Sequence, residues 1–321
     1  MIFIGFRRTL PLAFVVVLVL GAVGRAETFA ERAFDPPAGS HWTLASVETA
    51  EEVSAERTQT TTVKTLSELS YDEKTADGYR VTYVLQRVES SGTSADVMEA
   101  SSKPLESIVI HAMLNRNGMP LRIENADDVQ AAVNAGIERI LGPLSGKPQI
   151  AAALRRVIEG RLNARDPHGA GRLLAPLSLL ALGQNTGLHP GETKYGSEEF
   201  ASSPLGGEPL NGVTELHMDS ADLASGNVRL SYTRTPDKDS MREFTTRIAN
   251  QLAAAAGLPQ WDGTKQKQLD IAFESRTELE VGEGVTRTVH DEETTNIGLP
   301  GLPGYHLLER ERIDVKVTQV P

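Results

Sequence analysis

Val228-Arg229-Leu230-Ser231-Tyr232-Thr233 alternates apolar and polar side chains with a period of two, the pattern of a strand that buries one face and wets the other. Val228, Leu230 and Tyr232 share the apolar face. The alternation recurs at Leu269, Ile271 and Phe273, and at Ile313, Val315 and Val317 set against Arg312, Asp314, Lys316 and Thr318. Such segments belong to an antiparallel sheet with one solvated side. Further strands are predicted over 42–47, 57–71 and 79–87, the last aligning Tyr79, Val81, Tyr83 and Leu85.

Segments 108–114 and 120–123 flank Asn115-Arg116-Asn117-Gly118, whose Asn-Gly pair supplies the positive φ of a tight hairpin, and Val281-Gly282-Glu283-Gly284-Val285 predicts another. Helices are fewer. Asn125 is placed to cap one that carries Val129, Val133, Ile137, Ile140 and Leu141 on a single stripe and stops at Gly142-Pro143. A second begins near Pro148, with Ile150, Leu154, Val157, Ile158 and Leu162, and ends at Asp166-Pro167. Segment 173–182 is apolar on nearly every side, so a helix there must be buried or must close over something greasy. Ser240 and Glu243 form a capping box for a helix over 241–256, whose stripe of Phe244, Ile248 and Leu252 is expected on the concave side of the sheet.

Segment 183–212 holds seven glycines and three prolines. Thirty residues without structure are unusual inside a domain, so a short strand near 194–200, a mobile lid or a boundary between halves is required, and the composition reads as a connector between halves. On either side the chain runs from strands into helices, and Gly39-Ser40-His41-Trp42 loosely parallels Gly191-Glu192-Thr193-Lys194-Tyr195. The expected fold is α+β: a curved, mainly antiparallel, half-barrel-like sheet packed on a few helices. It forms one mature domain, 27–321, from two halves of related layout, 27–182 and 192–321.

Arg7 and Arg8 precede an apolar run over 10–23, and Gly24-Arg25-Ala26 puts small residues where a signal peptidase reads them. This predicts a signal peptide over 1–26 and export to a periplasm or beyond, with Ala30 as the alternative cut. Fourteen residues reach roughly 21 Å as a helix, short of a hydrocarbon core of about 30 Å, which argues against a retained span. Cleavage removes Arg7, Arg8 and Arg25 and no acid, moving the net charge from −11 to −14. Such a chain repels nucleic-acid phosphates and anionic membranes. With no cysteine there is no disulfide, thiolate metal site, cysteine nucleophile or acylated lipoprotein cysteine.

Glycine-rich cradles of the dinucleotide or P-loop type are absent, and Gly142-Pro143-Leu144-Ser145-Gly146 misses the G-x-S-x-G elbow by one place. The seven histidines never fall within ten residues of each other, so zinc spacing is missing too. Asp237-Lys238-Asp239 opens like a calcium loop but lacks its glycine and terminal glutamate; the start of a helix accounts for it. No metal site and no cofactor are therefore expected.

One local cluster stands out. On a strand, Glu215, His217 and Asp219 share a face, which suits acid–base work or a metal and would support a hydrolase. The same pattern is the ordinary solvated face of an antiparallel strand, with Leu216 and Met218 turned inward. Glu309-Arg310-Glu311-Arg312 reads as cross-strand ion pairs guarding an exposed edge, against the alternative of a docking stripe.

The Asn115-Arg116-Asn117-Gly118-Met119-Pro120 segment running into Ile123-Glu124-Asn125-Ala126 resembles the strand, Asn-Gly turn, strand, polar cap and helix passage of exported bacterial β-rich proteins of uncharacterised function. More distantly, the layout is similar to the half-barrels of LolA-like lipoprotein carriers, which implies a sheet wrapped around a helix-plugged, greasy cavity. The function expected is that of a non-catalytic envelope protein that binds an apolar or amphipathic ligand, a lipid among them, or a protein partner in the concavity. Trp42, Leu173, Leu174, Leu177, Leu180, Phe244 and Ile248 are the candidate binding residues. The alternative is an assembly scaffold acting through its surface.

Overall fold

The computed structural model describes residues 34–54, 57–93, 95–142, 145–146, 148, 151–152, 155, 159, 162–184, 186–201, 210–222, 225–255, 270–282, 284–298 and 306–320. The predicted signal peptide and most of the helix expected after Pro148 lie outside them. Eleven strands form one antiparallel sheet: β1 (Ser40–Ser54), β2 (Thr58–Lys74), β3 (Gly78–Gly92), β4 (Val109–Asn115), β5 (Pro120–Ile123), β6 (Thr193–Ala201), β7 (Leu210–Asp222), β8 (Asn227–Pro236), β9 (Asp270–Gly282), β10 (Val285–Gly298) and β11 (His306–Val320). Their order is β5-β4-β3-β2-β1-β11-β10-β9-β8-β7-β6. Each half of the chain is a meander, and the two meet where β1 pairs with β11, from His41 opposite Val320 to Ser54 opposite Leu307.

The expected α+β class is corrected by this topology. The fold is β-rich, a single open sheet of eleven strands. The helices fully bounded among the described residues are α1 (Ala95–Ser102), α2 (Ala126–Leu141), α3 (Pro167–Leu173), α4 (Ala175–Leu180) and α5 (Lys238–Ala255). Helices make up 23% of the structure against 57% strand, and α3 and α4 span only 7 and 6 residues. The apolar segment 173–182 breaks into the end of α3 and the whole of α4.

Paired side chains across the lower strands show where the core lies. Trp42 faces Leu69, Leu69 faces Tyr83, and Tyr83 faces Ile110; on the other side Leu44 faces Val317 and Val289 faces both Val315 and Leu279. All are buried, in one cluster with Leu174, between α3 and α4, and with Leu177 and Leu180 of α4. Val133, Ile137 and Leu141 of α2 form a second cluster, with Leu173 packing against both.

Close contacts at one end of the strands require the sheet to curl. A Cβ on Gly118, in the β4–β5 turn, would lie 2.8 Å from Ala181, while one on Gly183 would lie 2.6 Å from Leu230 of β8 and 3.0 Å from Val281 of β9. Laid flat, β4 and β9 would stand about 29 Å apart, six strand spacings; two residues of chain reach about 7 Å at most. The same backbone segment can touch both only if the sheet wraps around it. Thr286 fastens the wrap by donating its hydroxyl to the Leu182 carbonyl at 2.6 Å.

Local predictions hold with three changes. Gly118 has φ 81° in the hairpin, and Asn115 Oδ1 accepts from the Asn117 and Met119 amides, as an Asn-Gly turn requires. Asn125 stands at the N-cap of α2, yet its amide instead bridges to β4, accepting from the His111 amide and donating to the Val109 carbonyl. For α5 the capping group is Asp237, whose Oδ1 accepts from the amides of Asp239 and Ser240; Ser240 Oγ accepts from the Asn211 amide and ties the helix to β7. Arg310 does pair across strands with Glu51 at 3.4 Å, but β11 is a central strand, so it guards no edge.

Leu177 is 1% exposed inside the wrap. Leu177→Ala is expected to lower unfolding free energy by about 2–5 kcal/mol, read as a shift of the urea midpoint at constant slope.

Candidate functional site

The inner face of the sheet changes character along its strands. Inward positions of β1 run Trp42, Leu44, Ser46, Glu48, Ala50, Glu52, and those of β11 run Val317, Val315, Ile313, Glu311, Glu309. On β10 the series is Val289, Asp291, Glu293, Thr295, and on β9 it is Leu279, Thr277, Ser275, Phe273. Trp42, Leu44, Val317, Val315, Val289 and Leu279 are sealed; Glu48, Glu52, Glu293, Thr295, Glu311 and Phe273 are half-buried, and Glu309 is exposed. Among the described residues the inner face is apolar and sealed at the level of α4 and turns acidic and half-buried further along the strands.

Several groups anchor that belt. The Arg234 side chain, 1% exposed on β8, donates Nε to Ser275 Oγ at 2.9 Å and sits 3.1 Å from Glu293, itself 14% exposed. Thr277 donates its hydroxyl to Asp291 at 2.5 Å. An ion pair this dry survives only because both charges are compensated on the spot.

Below the apolar zone an aromatic corner closes the base. Phe34, Tyr71 and Tyr79 meet edge to face at 5.3–6.0 Å. Tyr79 donates to the Phe34 carbonyl and to Asp35, both at 3.1 Å, and burial with the Asp35 contact pushes its hydroxyl up to about 12. The Lys74 ammonium beside Asp35 holds that carboxyl below its usual range. Glu106, after the short turn Lys103–Leu105 that follows α1, is likewise lowered, first by Lys103 and then by accepting from the Val88 amide.

The predicted binding residues are only partly brought together. Trp42, Leu174, Leu177 and Leu180 share one buried cluster, and Leu173 packs at its margin. Trp42 is held by donating to Ser40 Oγ at 2.9 Å, with the Arg287 guanidinium 4.5 Å from its ring centroid. Phe244 of α5 is half-buried away from that cluster, under the Arg247 guanidinium at 5.4 Å. The side chain of Ile248 lies outside the described residues.

Glu215, His217 and Asp219 sit on the outer face of β7. The His217 ring accepts or donates at Thr193 Oγ1, 2.9 Å away, while its Nε2 is 3.9 Å from Asp219 Oδ1. A bulge between Met218 and Ser220 displaces Asp219, which accepts from Ser231. Met218 is sealed inward. Among the described residues no group of three or more His, Asp or Glu is placed to hold a metal ion.

Sequence reasoning passed over the inner carboxylates, although the signal was there. Glu309 and Glu311 have the parity of Val315 and Val317, and Glu48 and Glu52 that of Trp42 and Leu44. Alternation alone places them on the inner face.

No family model and no curated protein matches the chain. Among solved structures, the chain is similar over 89% of its length to lipovitellin, described for its lipid–protein interactions, at 9% identity and a TM-score of 0.46; the match spans about a quarter of the lipovitellin chain, 26%. It also aligns with OprB of Pseudomonas putida at high pH (11% identity, 87% of this chain and 94% of that one, TM-score 0.29). An outer membrane channel of Pseudomonas putida F1 aligns at 10% identity, 92% and 100% coverage and a TM-score of 0.16.

Two outcomes test this anatomy. Arg234→Met is expected to cost about 3 kcal/mol of stability by stranding Glu293, with Arg234→Met/Glu293→Leu recovering most of it, whereas His217→Ala should stay within about 0.5 kcal/mol. The lowered carboxyl of Glu106 stabilises the fold above its ordinary value of 4.5, and that contribution fades as pH falls through the lower folded-state value. Glu106→Gln should therefore flatten the acid limb of a melting-temperature profile while leaving its alkaline limb in place.

Proposed function

We propose that this protein is an exported, non-catalytic envelope protein that binds an amphipathic ligand in the open upper half of its concavity. The carrying observation is the gradient along the inner face, from sealed Trp42, Leu44 and Val317 to half-buried Glu48, Glu52 and Glu311. A ligand lying along that gradient meets apolar side chains at its inner end. Its outer end meets carboxylates, which accept hydrogen bonds and do not donate them when ionised. The ligand class is thus an amphipathic molecule whose polar end carries hydrogen-bond donors or positive charge.

The convex face supports a position in water rather than in lipid. It presents Arg229, Arg276, Glu278, Glu280, Arg312 and Asp314, paired as Arg229–Glu280, Arg276–Glu278 and Arg312–Asp314. Outward arginines at the centre of a bilayer cost about 2–4 kcal/mol each. No helix among the described residues is long and apolar enough to cross a membrane. The predicted signal peptide supplies the route out of the cytosol.

Solvent extraction of the purified protein followed by mass spectrometry should release an amphipathic compound close to one per chain. Thr295→Trp, which fills the upper concavity, should lower its occupancy about tenfold, the loss of roughly 1.4 kcal/mol. An empty extract, or occupancy indifferent to Thr295→Trp, would refute the reading.

A further inference from the structure

We infer that β6 is the seam of a symmetric dimer, in which a second copy of this chain continues the sheet edge to edge through a two-fold axis at Gly196. Among the described residues β6 is last in the sheet order and bonds to β7 on one side only. Residues 191–197 are exposed, Tyr195 to 68%. A nine-residue edge strand offers a row of backbone donors and acceptors to whatever pairs with it. The opposite edge is blunted: β5 has four residues, begins with Pro120, and has α3 packed against it. With one edge open per copy, pairing closes at two chains instead of growing into a filament.

The charge pattern commits the edge to its own copy. Antiparallel strands related by a two-fold axis normal to the sheet keep the sum of opposed residue numbers constant and even. Centred on Gly196, that rule sets Lys194 opposite Glu198 of the second copy, twice, with Tyr195 opposite Ser197. Centring on Lys194 or Glu198 opposes like charges, and centring on Tyr195 or Ser197 leaves a charge opposite Gly196. Among registers centred on 194 to 198, only Gly196 pairs opposite charges directly, both of them within β6, and cross-strand pairs of opposite sign stabilise where like signs destabilise. The glycine puts no side chain on the axis. A lysine on an edge also discourages foreign strands, so the same residue that repels other partners selects this one.

Sedimentation velocity of the purified chain up to about 100 µM should show a monomer–dimer equilibrium. Lys194→Glu, at an exposed position, should raise the dissociation constant about tenfold or more by setting carboxylates against each other. Lys194→Glu/Glu198→Lys should restore the wild-type value. A chain monomeric throughout overturns the inference and leaves the edge to a strand of another protein. A dimer that Lys194→Glu does not weaken, or that the double exchange does not rescue, overturns it equally.

Discussion

The packing of Leu174, Leu177 and Leu180 inside the sheet is the constraint on which the rest of the molecule depends. A single sheet of eleven strands has two broad faces, and a chain of this size cannot leave one of them apolar and bare. Curling around α4 solves the problem with six residues of helix. The three leucines, at 0–1% exposure, meet side chains from both halves of the chain. Gly118 and Gly183 are the points where this approach is tightest, since neither has room for a Cβ. Both have positive φ, so the backbone that permits the approach is also one that favours glycine.

Among the described residues, the leucines of the plug pack against the apolar level of the inner face. Above it the strands continue for several residues, and their inward positions become acidic. The two chemistries share the same strands and the same alternation, so they are fixed in register: wherever the lower wall is Val315 and Val317, the upper wall is Glu311 and Glu309. Arg234 and its partners hold the boundary. Its burial makes it a structural charge whose removal strands Glu293, whereas the outward ion pairs on the convex face are exposed and contribute little individually.

The two edges of the sheet are treated differently, and the difference follows from chain order. The meander of the first half ends in the short β5, after which the chain turns into α2 and later returns as α3 to cover it. The second meander begins at β6, directly after the plug, with no helix described along its outer side. An open sheet has to end somewhere, and this one ends once under a helix and once at a strand whose charges are complementary to themselves.

From the sequence alone, the period of two at 228–233 and 312–318 determined that the chain is built of antiparallel strands, and the Asn-Gly and Gly-x-Gly turns determined which of them form hairpins. Those features are local: each depends on side-chain parity or on a φ angle available within a few residues. The strand order, the pairing of β1 with β11 across more than two hundred residues and the collapse of 173–182 into a plug depended on contacts between distant segments, which no local pattern encodes. The candidate site lay between these cases. Parity placed Glu48, Glu52, Glu309 and Glu311 on the inner face, but only the tertiary structure decided how deeply each is buried there, because burial depends on which distant segments pack against that face.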